Sequence, residues 1–90
     1  MYKILIAEKA EADLAWFKKN DRKSYLKCFD LLRSVIVTPY EGIGRPEQLK
    51  YFEAVVYSRR VNQKDRMIYV IYEELQEGDV TSFKGHYDDH

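Results

Sequence analysis

Glu53-Ala54-Val55-Val56-Tyr57-Ser58-Arg59-Arg60-Val61-Asn62-Gln63-Lys64-Asp65-Arg66-Met67-Ile68-Tyr69-Val70-Ile71-Tyr72-Glu73 is a hairpin written in sequence. Residues 53–61 and 66–73 are rich in Val, Ile and Tyr, and the polar Asn62-Gln63-Lys64-Asp65 separates them, which predicts two antiparallel strands joined by a turn longer than two residues. Toward the C-terminus, residues 74–79 form an acidic turn and residues 80–87 a last strand. Toward the N-terminus lies a helical region. Ala10, Leu14 and Phe17 recur at helical spacing from Glu8 onward, and Glu8 and Glu11 suit the positive end of the helix dipole. Asn20-Asp21 breaks the pattern and caps a second helix, with Tyr25, Phe29, Leu32 and Ile36 on one stripe and Leu31 and Val35 beside it. This helix must stop before Thr38-Pro39, because the residue preceding proline avoids helical geometry. Residues 39–49, with two prolines and two glycines, read as a loop, and Tyr2-Lys3-Ile4-Leu5-Ile6-Ala7 as a first strand. The order is β-α-α-β-β-β, an α+β domain with two N-terminal helices packed on one face of a mainly antiparallel β-sheet.

Ninety residues make a single domain, 1–90, with room for one modest core. The one cysteine, Cys28, cannot form an internal disulfide, and its setting in the second helix reads as a packed thiol rather than a nucleophile. Lacking that staple, the fold rests on packing, for which eight tyrosines supply large aromatic area. No apolar run approaches the roughly 20 residues needed to cross a bilayer, and the opening apolar stretch is too short for a signal-peptide core. These features predict a cytoplasmic chain with no membrane partner. Fifteen basic and fifteen acidic residues cancel, which argues against binding nucleic acid through bulk charge alone. The charges are nevertheless segregated. Arg45, Lys50, Arg59, Arg60, Lys64 and Arg66 cluster in the middle, whereas among the last 24 residues Lys84 stands against Glu73, Glu74, Glu77, Asp79, Asp88 and Asp89.

A carboxylate (Glu47), an imidazole (His86) and this group of cations are what metal-free RNA cleavage requires. One group takes the 2'-hydroxyl proton, another protonates the leaving 5'-oxygen, and positive charge holds the crowded phosphorane. Taken singly, each has a duller reading: Glu47 as a loop carboxylate, His86 as a surface or capping histidine, the basic cluster as a solvated face. Arg59 and Arg60 are strand neighbours, so their side chains leave opposite faces and only one can enter a shared site. Tyr57, Tyr69 and Tyr72 read as packing residues. His86, Asp88, Asp89 and His90 invite a metal reading, but a strand end followed by a tail does not suit their spacing.

The run Thr38-Pro39-Tyr40-Glu41-Gly42-Ile43-Gly44-Arg45-Pro46-Glu47-Gln48-Leu49-Lys50, then Tyr57-Ser58-Arg59-Arg60-Val61, Asp65-Arg66-Met67-Ile68-Tyr69 and Gly85-His86-Tyr87, resembles the YoeB (Txe) branch of the RelE toxin superfamily over nearly the whole chain. The resemblance implies a microbial-RNase-like fold and a type II toxin–antitoxin toxin that cleaves mRNA in the ribosomal A site without a cofactor. By position it implies Glu47 as general base, Arg60 and Arg66 as phosphate-stabilising arginines, His86 as general acid and Tyr87 as the neighbouring aromatic. Lys50 matches a basic residue of that site. Arg45 and Arg59 are expected to contact RNA, with Arg60 favoured for the site and Arg59 for a supporting or RNA-backbone role. The implied partners are a YefM-like antitoxin, the ribosome and mRNA, and operator DNA only through the antitoxin; the resemblance also allows a homodimer. Three departures stand out, the first being Ala54-Val55-Val56-Tyr57 where many relatives have glycine and a bulky aromatic before the paired arginines. Asp88 and Asp89 extend the chain beyond the tyrosine and favour a protonated His86, and the neutral net charge predicts that the ribosome, more than the protein's own field, positions the substrate. The competing readings are a non-catalytic ribosome- or antitoxin-binding module and a ribonuclease acting on free RNA.

Overall fold

In the computed structural model, which describes residues 1–50 and 53–85, the hairpin consists of Val55–Arg60 and Arg66–Tyr72, paired from Val55 opposite Ile71 to Arg60 opposite Arg66. In chain order the elements are β1 (Lys3–Ile6), α1 (Glu8–Asn20), α2 (Arg22–Val37), β2 (Glu47–Gln48), β3 (Val55–Arg60), β4 (Arg66–Tyr72), a 3-10 turn (Glu73–Leu75) and β5 (Glu77–Ser82). The sheet order is β1-β5-β4-β3-β2, with β1 parallel to β5 and every other pair antiparallel. The α+β class therefore holds, with one addition: β2, a two-residue edge strand, lies inside what the sequence reads as loop.

Alternation sorts the sheet into two faces. Tyr57, Met67, Tyr69 and Ile71 point toward the helices and join Phe17, Leu31, Val35, Val80 and Phe83 in one core. The helix boundaries follow the sequence signals. Asp21 accepts from the Ser24 amide at 3.1 Å and from its hydroxyl at 2.7 Å, forming the cap, and α2 stops at Val37, just before Thr38-Pro39. The buried line of α2 is rotated from the expected stripe. Ser24, Cys28, Leu31, Leu32 and Val35 are its buried residues, while Tyr25 and Phe29 pack at the margin and Ile36 is half-buried. Tyr25 and Phe29 meet edge-on with centroids 5.0 Å apart, so the aromatics flank the seam and smaller side chains fill it. The acidic turn is also shorter than expected. Gln76 takes a left-handed conformation (φ 54°) after the 3-10 turn, and β5 begins at Glu77, three residues early, because parallel pairing with β1 recruits Glu77–Val80. Tyr72 is exposed rather than packed, and its hydroxyl donates to Asp79 at 3.1 Å.

Residues 38–46 are pinned from three sides. Tyr69 donates to the Pro39 carbonyl at 2.7 Å, Tyr40 donates to Glu73, and the Arg59 guanidinium reaches into the loop from below. The Glu73 carboxylate also accepts from Tyr2 at 2.6 Å and Gln76 at 2.6 Å, joining β1, the loop and the 3-10 turn. The hydroxyls of Tyr2, first, and Tyr40 hold its carboxyl below the ordinary glutamate value of 4.5, and the Ser24 hydroxyl and amide do the same for Asp21. A depressed folded-state pKa gives stability that is present above the unfolded value and lost as pH falls through the folded one. The urea midpoint should therefore drop between pH 5 and pH 3, and Glu73→Gln should show a smaller drop than the parent. Equal drops would rule out the Glu73 contribution.

Candidate active site

Three neighbouring strands set out the site by register. Glu47 on β2 lies opposite Ser58 on β3, and Arg60 on β3 lies opposite Arg66 on β4. Residues paired across a ladder share a face, as do residues two apart on one strand, so Glu47, Ser58, Arg60 and Arg66 project from the side of the sheet away from the helices. Arg66 Nη1 donates to Ser58 Oγ at 3.3 Å, which draws the guanidinium toward the row that begins at Glu47. Arg60 and Arg66 are like charges directly across a ladder, a pairing that strand energetics disfavour and that an anion between them would stabilise.

The loop arrives at this face by an unusual route. Gly42 (φ 123°), Gly44 (φ 83°) and Arg45 (φ 52°) all take positive φ, and only the last carries a side-chain penalty there. A Cβ on Gly44 would lie 2.6 Å from Leu31 Cδ2 and 3.3 Å from the Arg60 carbonyl, so a side chain there would have to displace Leu31 as well as bear the strained φ. The Arg60 amide donates to the Gly44 carbonyl at 2.7 Å, which seats Arg45 beside Arg60, and both line a shallow depression that reaches Lys27 of α2 and so opens toward the helix side. Beyond β2, the Leu49 amide donates to Val56 at 2.8 Å, leaving Lys50 exposed on the turn that follows.

Arg59 requires a correction. It is 0% exposed, and all five of its N–H groups are consumed inside the protein. Nε donates to Tyr69 Oη at 2.9 Å; Nη1 donates to Ser34 Oγ at 2.6 Å and the Ile43 carbonyl at 3.1 Å; Nη2 donates to the carbonyls of Thr38 at 2.6 Å and Glu41 at 2.9 Å. Alternation forces this: with Arg60 on the site face, Arg59 must enter the helix face. It holds the loop in place and is out of reach of RNA.

His86 and Tyr87 lie outside the described residues, as do Asp88, Asp89 and His90. The segment leading to them is anchored at the site, since the Arg66 amide donates to the Gly85 carbonyl at 3.0 Å and the Gly85 amide to Asp65 Oδ1 at 2.9 Å. Among the described residues no group of three or more His, Cys, Asp or Glu could hold a metal, and no helix is long and apolar enough to cross a membrane. Burial, and then Asp13 and Asp65, push the Cys28 thiol up to about 12, which leaves it inert as a nucleophile. Sequence reasoning missed Ser58, although its place two residues before Arg60 on a strand was the available signal. It also missed Asp13 and Asp65, whose partners are distant in sequence.

A carboxylate and two guanidinium groups on one sheet face can accept a proton and grip a phosphate. The same architecture occurs in a bacterial toxin, the YoeB/ParE toxin from Agrobacterium tumefaciens, which superposes with a TM-score of 0.85 at 29% identity, over 94% of this chain and 99% of that one. The YoeB dimer from Staphylococcus aureus superposes with a TM-score of 0.81 at 34% identity, over 96% and 98% of the two chains, and YoeB from that organism is also known in a heterotetrameric complex with YefM. Toxin YoeB of Synechocystis sp. is 36% identical over 69 residues, covering 77% of this chain and 80% of its own. The chain belongs to the YoeB-like toxins of bacterial type II toxin–antitoxin systems, whose family model matches residues 6–87.

Proposed function

We propose that this toxin is a ribosome-dependent mRNA endoribonuclease acting in the cytoplasm. The observation that carries the reading is the placement of Glu47, Arg60 and Arg66 on one face by the β2–β3–β4 register, with Gly85, the residue before His86, held to the Arg66 main chain. Glu47 takes the proton of a 2'-hydroxyl, whose oxygen attacks the adjacent phosphorus. Arg60 and Arg66 hold the equatorial oxygens as charge accumulates, and their planar forks suit that task. His86 gives its proton to the departing 5'-oxygen as the P–O bond breaks. The products are a 2',3'-cyclic phosphate, open to hydrolysis to a 3'-phosphate, and a 5'-hydroxyl end. A positioned acid or base typically supplies about 10²- to 10⁴-fold each. Tyr87 stacks on a base or orients the phosphate, while Lys50 and Arg45 contact the RNA backbone beside the site. The neutral net charge favours positioning by the ribosome over capture of free RNA.

The partner is a YefM-like antitoxin, the kind of protein with which S. aureus YoeB forms a heterotetramer; on this reading it silences the site, and operator DNA is reached only through it. Self-association follows the S. aureus dimer.

Primer extension on a defined mRNA, with and without ribosomes stalled at a known codon, tests the reading alongside Glu47→Ala and His86→Ala. Cuts should fall at the A-site codon, require ribosomes and weaken in both variants. Equal cutting of naked RNA would reassign the protein as a free-RNA nuclease. No cutting, with ribosome or antitoxin binding retained, would make it a binding module.

A further inference from the structure

β4–β5 pairing ends at Ile68 opposite Ser82, and the next three amides, those of Phe83, Lys84 and Gly85, are all taken by carboxylates. Asp13 Oδ2 accepts from Phe83 at 2.9 Å and from Lys84 at 3.0 Å, and Asp65 Oδ1 accepts from Gly85 at 2.9 Å. Both acids are nearly sealed, at 7% and 4% exposure. They come from different elements, Asp13 from α1 and Asp65 from the turn between β3 and β4.

Each acid is itself held. Lys9, Asp13 and Trp16 lie four and three residues apart along one face of α1. Lys9 Nζ donates to Asp13 Oδ2 at 2.8 Å and to the Lys84 carbonyl at 2.9 Å, and Lys84 Nζ lies 4.6 Å from the centroid of the Trp16 ring. Asp65 Oδ2 accepts from Asn62 Nδ2 at 2.9 Å, and that amide also donates to Ser24 Oγ at 2.8 Å, beside the Asp21 cap. With Phe83 fully buried in the core, the backbone of residues 83–85 is fixed by two elements immediately before residue 86.

We propose that Asp13 and Asp65 are positioning residues for the cleavage reaction: a two-carboxylate clamp that sets the point from which the chain bearing His86 departs. The inference rests on the function proposed above. General acid catalysis needs the donor within hydrogen-bond reach of the leaving oxygen, and a displacement of about 1 Å can cost on the order of 10²-fold in rate. A single-turnover assay on ribosome-bound mRNA separates this role from simple bracing of the fold.

Asp13→Ala and Asp65→Ala should slow the cleavage step by roughly 10- to 100-fold with little change in apparent KM. Asp13→Asn keeps an acceptor for both amides and should restore most of the rate. Trp16, the only tryptophan, should change its emission in Asp13→Ala as Lys84 leaves its ring. In a His86→Ala background, Asp13→Ala should cost little more, because the residue it positions is gone. An equal loss in that background, or a wild-type rate in Asp13→Ala with its fold intact, overturns the proposal. Should Asp13→Ala fail to fold, Lys9→Met removes only the outer bonds of the clamp. It should slow the cleavage step and lose that effect in the His86→Ala background, and an unchanged rate would count against the clamp. Absence of cleavage by the parent protein would instead remove the functional reading, and the clamp's role with it.

Discussion

Arg59→Ala should lower folding stability by about 3 kcal/mol, more than most surface arginines could contribute in any context. The side chain is a buried cation whose five donors meet three carbonyls and two hydroxyls, so its charge is solvated by protein dipoles in place of a carboxylate. Truncation leaves the carbonyls of Thr38, Glu41 and Ile43 and the hydroxyls of Ser34 and Tyr69 without this donor, and opens a void beneath the loop. Arg59→Lys should rescue only part of the loss, because one ammonium with three donors cannot span five acceptors spread over α2, β4 and the loop. Gly42→Ala should act on the same contact from above, since its Cβ would meet Ser34 Oγ at 2.4 Å and its φ is 123°. Urea denaturation followed by circular dichroism provides the check. A loss below about 0.5 kcal/mol for Arg59→Ala, the range of an ordinary surface substitution, would show that the buried guanidinium contributes little.

That arginine marks how far the sequence could be read. The hairpin around Asn62-Gln63-Lys64-Asp65, the Asp21 cap and the stop before Thr38-Pro39 all come from local chemistry, and local chemistry decided them. Strand alternation placed Arg59 and Arg60 on opposite faces, but which face was the core depended on where α1 and α2 settled. A basic residue next to a candidate phosphate site therefore read as either a supporting or an RNA-backbone contact, and it is the former, the post that supports the loop. β2 was illegible for a different reason: two exposed polar residues carry no periodicity, and β3 supplies the pairing that makes them a strand. The seam of α2 was misplaced because large aromatics look like the buried stripe, whereas Ser24 and Cys28 occupy it. The clamp on residues 83–85 joins positions 20 and 70 or more residues apart, and no local pattern encodes such pairings. For the candidate site, the sequence offers residue types and their order as an expectation. What the structure adds is that Glu47, Arg60 and Arg66 share one face of the sheet.

Arg66→Lys should reduce single-turnover cleavage on ribosome-bound mRNA by on the order of 10²-fold, and Arg66→Ala by roughly 10³-fold, with the loss in the cleavage step rather than in apparent KM. A lysine retains the charge but loses the planar pair of donors that can meet two phosphate oxygens at once, so the gap between the two substitutions separates charge from geometry. Ser58→Ala should give a milder loss of several-fold, because it removes only the hydroxyl that receives Arg66 Nη1 and leaves the guanidinium in place. Charge repulsion sharpens the expectation. Arg60 and Arg66 are paired across the β3–β4 ladder, and under the proposed mechanism the pair would gain most with a pentavalent phosphorane, more negative than the ground-state diester, between them. Removing one arginine should therefore weaken the transition state more than it weakens substrate binding. If Arg66→Ala instead raised KM with an unchanged cleavage step, Arg66 would be a docking contact and the phosphorane would have to be held by other groups.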